Sequence, residues 1–235
     1  MAPKFKREDK TPEPGTCGPE MVTLTSHGGS KTFYVPARLL AHVSEYFRAA
    51  LNSNFLEGTT YEFTLTEHCD DTILAVFTKW VYTRTGNNLM EYDIRTTHVV
   101  EESYSVVVKA WLFGDYIRAP EFQNDMMILI TEEDPSTMWD AAVLQEFWSR
   151  VPVKSKLDIL FIDVLARAIC DKECNITYAS LKNIVDESYP PHVWEELTHR
   201  MVDRLRTGRW DLQANSEHTN NYDLQHRVDR YHYLV

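Results

Sequence analysis

The sequence predicts an α+β fold, with a small three-stranded sheet, about five covering helices and then an α-helical extension. Three observations lead there. Two short β-type runs, Met21-Val22-Thr23-Leu24-Thr25 and Thr32-Phe33-Tyr34-Val35, flank a Gly28-Gly29 turn, and glycine supplies the positive φ that tight hairpins require. From Tyr61 to Thr66, Tyr61, Phe63 and Leu65 alternate with polar neighbours, the period of a half-buried strand. From Asp70 onward the apolar spacing becomes helical: Ile73, Leu74, Val76, Phe77, Trp80 and Val81 make one wide stripe.

The elements follow in order. Pro36 to His42 reads as a short helix, since proline is tolerated in a first helical turn. Ser44 is placed to cap a helix from Glu45 to Leu51, with Glu45 adding a favourable charge and Tyr46, Phe47, Ala50 and Leu51 on one apolar face. Asn52-Ser53-Asn54 breaks that helix, and Phe55-Leu56-Glu57-Gly58 reads as a loop leading into the third strand. Asp70-Asp71-Thr72 opens the next helix, and Thr85 to about Glu102 reads as a polar connection. A buried helix runs from Ser103 to Ile117. Gly114 inside it costs about 1 kcal/mol relative to alanine, which implies close packing. Phe122 to Ile130 is the next helix, with Phe122, Met126, Met127 and Ile130 inward. Further helices are expected at about 135–150, 156–170, 178–188 and 191–205, the second capped by Ser155.

This gives four regions: a disordered tail over 1–19, a compact α+β domain over 20–131, a helical extension over 132–206, and a polar, poorly ordered tail over 207–235. The net charge of −11 argues against a protein that holds nucleic-acid phosphates directly or docks on an anionic membrane surface. No apolar run approaches the ~20 residues that cross a bilayer. The Lys/Arg-rich start is followed by no apolar core, so no secretory signal is expected. Cys17, Cys69, Cys170 and Cys174 are scattered in a way that suits reduced thiols of the cytoplasm or nucleus. In that setting the Asn175-Ile176-Thr177 sequon carries no weight.

Several motifs carry a chemical reading beside a plainer one. Gly28-Gly29-Ser30-Lys31-Thr32 has the look of a phosphate loop, but such a loop needs glycine just before the lysine and again five residues earlier, where this chain has Ser30 and Thr25. Its flanks are strand and strand, so the hairpin reading holds. His192/Glu196 and Glu195/His199 are i, i+4 pairs that could share a metal, against a solvated helix face; no His-Glu-x-x-His accompanies them. Cys170-x-x-x-Cys174 lacks a second ligand pair at zinc-finger spacing. His218, His226 and His232 fall in the polar tail, where weak metal binding and plain disorder are the alternatives. Trp80, Trp111, Trp139, Trp148 and Trp194 read as core. No nucleophile elbow or dinucleotide fingerprint is present. No cofactor, metal or catalytic residue is expected.

From Val22 to Ile130 the chain resembles the BTB/POZ domain. The resemblance rests on Val22 and Leu24, Phe33 and Val35, Leu39-Leu40, Ser44-x-Tyr46-Phe47, Phe55-x-Glu57, Leu65, Trp80-Val81-Tyr82-Thr83, Ala110-x-x-x-Gly114-Asp115-Tyr116 and Phe122-Gln123-Asn124, in that order and spacing. Phe147-Trp148-Ser149-Arg150-Val151-Pro152, then Ser155-Lys156-Leu157 and the helix to Ala168, is similar to the extension of the fungal branch. Glu20-Met21 stands where the family often has Asp before the first strand, and Pro36 where a histidine commonly follows the second.

The resemblance implies a hairpin plus third strand covered by about five helices, and a non-enzymatic module that binds other proteins. In the family, a hydrophobic residue, any residue and Glu in the loop before the third strand can contact a cullin scaffold of ubiquitin ligases. Phe55 and Glu57 are the matching pair. The physics fits an aromatic anchor beside a charge that fixes register; the alternative is Phe55 packed on the sheet with Glu57 in solvent. Other readings are a homodimer or a scaffold of a transcription complex acting through self-association, and an enzyme with an unrecognised site.

Overall fold

The computed structural model describes residues 5, 18–29, 31–65, 69–86, 104–132, 147–170 and 190–207. The expected connection beyond Gly86, the helix at 178–188, most of that at 135–150, the tail histidines, Trp139, Cys17 and Cys174 lie outside those residues. The chain divides between Ile130 and Thr131 into two compact units. No described helix is long and apolar enough to cross a membrane.

The first unit opens on a three-stranded mixed sheet of order β2-β1-β3. Strand β1 (Met21–Thr25) pairs antiparallel with β2 (Thr32–Pro36) and parallel with β3 (Glu62–Thr64). Val22 pairs with Val35 and Leu24 with Phe33, and this face turns inward. Thr23 N–H donates to the Tyr61 carbonyl at 2.8 Å and Leu65 N–H to the Thr25 carbonyl at 2.8 Å. The odd-numbered residues of β1 therefore bond to β3, Val22 and Leu24 bond to β2, and the main-chain groups of Thr32, Tyr34 and Pro36 point off the outer edge. There the Tyr82 hydroxyl donates to the Tyr34 carbonyl at 2.8 Å, and Pro36 carries no N–H.

The connecting turn is tied to the helix behind it. Gly29 N–H bonds the Ser26 carbonyl at 3.2 Å, and Gly28 has φ +65°, the positive φ at the third turn position that glycine supplies. The buried Ser26 hydroxyl donates to Asp71 Oδ1 at 2.5 Å, and His27 N–H to the Cys69 carbonyl at 3.2 Å.

Helices α1 (Ala37–Val43) and α2 (Glu45–Leu51) follow, split by extended Ser44. The Ser44 hydroxyl accepts from Phe47 N–H at 3.2 Å, the expected cap, and donates to the Ile117 carbonyl at 2.5 Å. Helix α4 (Asp71–Gly86) starts where Asp70 Oδ1 accepts Ile73 N–H at 2.9 Å, and its predicted apolar stripe is buried throughout. Helices α5 (Tyr104–Tyr116) and α6 (Pro120–Glu132) complete the unit. Phe77 is the hub of the core, meeting Phe47, Trp80, Phe113 and Phe122 at ring-centroid distances of 5.2–6.3 Å. A Cβ on Gly114 would lie 2.7 Å from Gln123 Cγ and 3.1 Å from Phe122 Cδ1, the close packing its place in a helix implied. Trp80 Nε1 donates to Asp125 at 2.7 Å, and Arg84 bridges Asp125 at 3.1 Å and Glu121 at 2.5 Å, so opposite charges are paired between α4 and α6.

Four expectations are corrected. The segment read as a loop contains a helix, α3 (Leu56–Thr60). The Thr59 and Thr60 hydroxyls donate to the Phe55 and Leu56 carbonyls, and Glu57 sits in the first turn, which holds a piece too short to show periodicity. The third strand is Glu62–Thr64 only; Tyr61 has φ 60° and caps α3, so it leaves the alternation. Pro36 ends β2 instead of opening α1, because its place at the sheet edge needs no N–H. Helix α4 continues through Thr85 to Gly86.

In the second unit, helical residues 147–150 precede α7 (Lys156–Cys170) and α8 (Pro191–Thr207). Ser155 Oγ accepts Asp158 N–H at 3.1 Å, as expected of its cap. Phe147, Trp148 and Phe161 stack together, Phe147 on Phe161 at 3.6 Å. Buried Asp158 accepts Lys154 N–H at 2.7 Å and faces His192 Nε2 at 3.3 Å, and buried Asp163 pairs with Arg200. These pairs lock α7 to α8.

Candidate functional site

The corner where α2 ends and α3 begins carries the predicted site residues. Ser53 Oγ donates to the Ala50 carbonyl at 2.6 Å and accepts Phe55 N–H at 3.2 Å, which turns the chain sharply out of α2. Gly58 then passes so close to α2 that a Cβ would stand 2.5 Å from the Ala50 carbonyl oxygen and 2.7 Å from that of Ser53. Only glycine permits this approach. The αL conformation of Tyr61 closes α3, and Tyr61 N–H bonds the Glu57 carbonyl at 2.9 Å.

The result is a short ridge held at both ends. Phe55 is 73% exposed and Leu56 74%, with Glu57 exposed beside them. The alternative of Phe55 packed on the sheet is not what this fold contains. Phe55 and Glu57 both reach solvent on this ridge. Leu56, which the sequence reading passed over, joins them; its only signal was an apolar residue in a segment without periodicity. Two adjacent large apolar side chains in solvent lose little by being exposed in the unfolded chain, and gain on covering.

Behind the ridge, Tyr46 packs on Phe47 and Tyr116 with centroids 5.2 and 5.4 Å apart. Its hydroxyl is pushed up to about 12, first by burial, then by the hydrogen bond and charge of Tyr116, then by the charge of Glu57. Cys69 is pushed up to about 12 by burial first, then by Asp70 and Asp71, which leaves a thiol and not a nucleophile.

A second feature is a recess of about 320 Å³ among His42, Glu45, Arg48, Asp115, Arg118 and Gln123. Its charges engage one another: Arg48 with Glu45 at 3.5 Å, Arg118 with Glu45 at 3.8 Å, and Gln123 Nε2 donating to Asp115 at 3.4 Å. It is a polar hollow of self-paired groups. The two i, i+4 pairs considered for metal on α8 are drawn elsewhere, His192 to Asp158, Glu196 to Arg200 and His199 to Asp203. Among the described residues no three His, Cys, Asp or Glu gather in a metal-holding group.

Comparison with protein families, with characterised proteins and with solved structures finds no match.

Proposed function

We propose that the chain is a protein–protein interaction module of the BTB/POZ kind, an adaptor that presents Phe55 and Glu57 to the cullin scaffold of a ubiquitin ligase, in the cytoplasm or nucleus. The observation that carries this reading is the ridge at the start of α3, with Phe55 and Leu56 about three-quarters exposed and Glu57 exposed next in the chain. An aromatic anchor flanked by a charge has the composition of a binding hot spot. The sheet of order β2-β1-β3 with helices α1 to α6 in the same unit supports the reading, since the resemblance implies a hairpin, a third strand and about five helices.

The test is capture of the full chain by the amino-terminal domain of a cullin. Wild type is retained. Phe55→Ala costs about 2 kcal/mol or more of binding, and Glu57→Lys, which reverses the register-setting charge, removes retention. Both variants keep their unfolding midpoint, because exposed positions move stability by only about 0.5 kcal/mol. Retention of both folded variants at the wild-type level overturns the cullin contact.

A further inference from the structure

One main-chain contact in the first unit has the form of ligand recognition. Phe5 N–H donates to Asn52 Oδ1 at 2.7 Å, and Asn52 Nδ2 donates back to the Phe5 carbonyl at 2.6 Å. A single side-chain amide thus takes both main-chain groups of one residue, the exchange that a neighbouring antiparallel strand makes. The amide is oriented by its own helix: its second N–H donates to the Arg48 carbonyl at 2.9 Å, in the last turn of α2. Asn52 itself is fixed by its own N–H, bonded to the Arg48 and Ala50 carbonyls. An acceptor and a donor therefore stand ready, side by side, at the end of a helix and three residues before the Phe55 ridge.

The segment so held has a definite chemistry. Phe5 lies in Lys4-Phe5-Lys6-Arg7, an aromatic residue between cations, in a chain whose net charge is −11. Beyond Asn52, α3 and β3 expose Glu57 and Glu62. Two main-chain hydrogen bonds fix the held residue, and opposite charge sets which segments approach.

We propose that Asn52 is a peptide-backbone clamp, and that the corner at the end of α2 binds a segment carrying an aromatic residue between basic ones. The chain fills it in cis with Phe5, and a partner segment of the same chemistry fills it in trans. The proposal is independent of the cullin reading. It also sets a rule for exchange: a tethered segment competes at a high effective concentration, so binding in trans is weak until the cis residue is removed.

Fluorescence anisotropy with a labelled peptide of residues 1–10 tests this on the full chain. Phe5→Pro in the protein removes the N–H that Asn52 accepts and empties the clamp without touching a helix or strand. The Phe5→Pro chain is expected to bind the peptide at least tenfold more tightly than wild type does. A peptide N-methylated at Phe5 leaves the protein unaltered and lacks the donated hydrogen, so it binds that chain at least tenfold more weakly; replacing its three cations by glutamate has the same effect. Equal affinity of the two chains, an N-methylated or charge-reversed peptide that binds as well as the parent, or no binding to a Phe5→Pro chain of wild-type unfolding midpoint, each overturns the clamp.

Discussion

A methyl group on Gly29 would land 1.7 Å from Ser26 Oγ and 2.3 Å from Asp71 Oδ1, on top of the hydrogen bond that joins the hairpin turn to α4. The two glycines of the turn thus do different things. Gly28 supplies a positive φ, whereas Gly29 has no such conformation and is required for space. Gly29→Ala is expected to lower stability by about 2–3 kcal/mol, from overpacking and from disruption of a part-buried hydrogen bond. The denaturant midpoint reads it directly, and Gly28→Asn, which tolerates αL, should cost less. The sequence announced a glycine turn; it could not announce which glycine is steric, because that depends on Asp71, 42 positions away in the chain by its number and folded underneath. Asn52 was likewise legible only as a helix breaker, since nothing local connects it to Phe5.

At the scale of elements, capping and apolar periodicity were readable, and close turns were not. Ser44, Asp70 and Ser155 cap the helices they precede, and the α4 stripe is buried as its spacing required. Helix α3 escaped notice because Leu56-Glu57-Gly58-Thr59-Thr60 holds a glycine and two β-branched residues, all poor helix formers. Its helix is imposed by hydroxyl back-bonds and by Gly58 lying against α2. The end of α5 offers a test of the same kind. Ala119 N–H bonds the Gly114 carbonyl at 2.9 Å and Arg118 N–H the Asp115 carbonyl at 3.1 Å, with Arg118 at φ 52°. This is a Schellman motif whose left-handed position is filled by arginine where glycine is usual. The Arg118 and Ile117 carbonyls in turn accept Glu45 and Tyr46 N–H, so the motif caps α2. Arg118→Gly relieves about 1–2 kcal/mol of αL strain and gives back part of it to the freer unfolded chain. A net stabilisation of about 0.5–1 kcal/mol is expected, visible as a raised thermal midpoint.

For the molecule as a whole, the class and the order of elements were legible, and the sheet's connectivity was not. Strand β3 runs parallel to β1, a pairing set by how α1, α2 and α3 carry the chain back, and no residue in Glu62–Thr64 encodes its direction. The α+β unit also has a pH signature. The Cys69 thiol and Tyr46 hydroxyl, ordinarily ionising at 9.0 and 10.0, are both pushed up to about 12. The unfolded chain therefore ionises first. Their contribution is fully present below about pH 9 and is lost as the pH climbs toward 12. Thermal midpoints measured across that window should fall for wild type, fall less from pH 9 in Cys69→Ala, and fall less from pH 10 in Tyr46→Phe. Parallel curves for all three would refute the assignment.

The Tyr82 hydroxyl on the Tyr34 carbonyl has a consequence for crowded solutions. An open sheet edge is a template on which a second chain can continue the ladder and start a fibril. On β2 one outward acceptor is occupied by a side chain of α4, and Pro36 has no hydrogen to offer at the next outward position. An incoming strand finds the Tyr34 acceptor taken, and the Pro36 end of the strand is buried by its own chain. Among the described residues, the β2 edge thus offers a short and interrupted template.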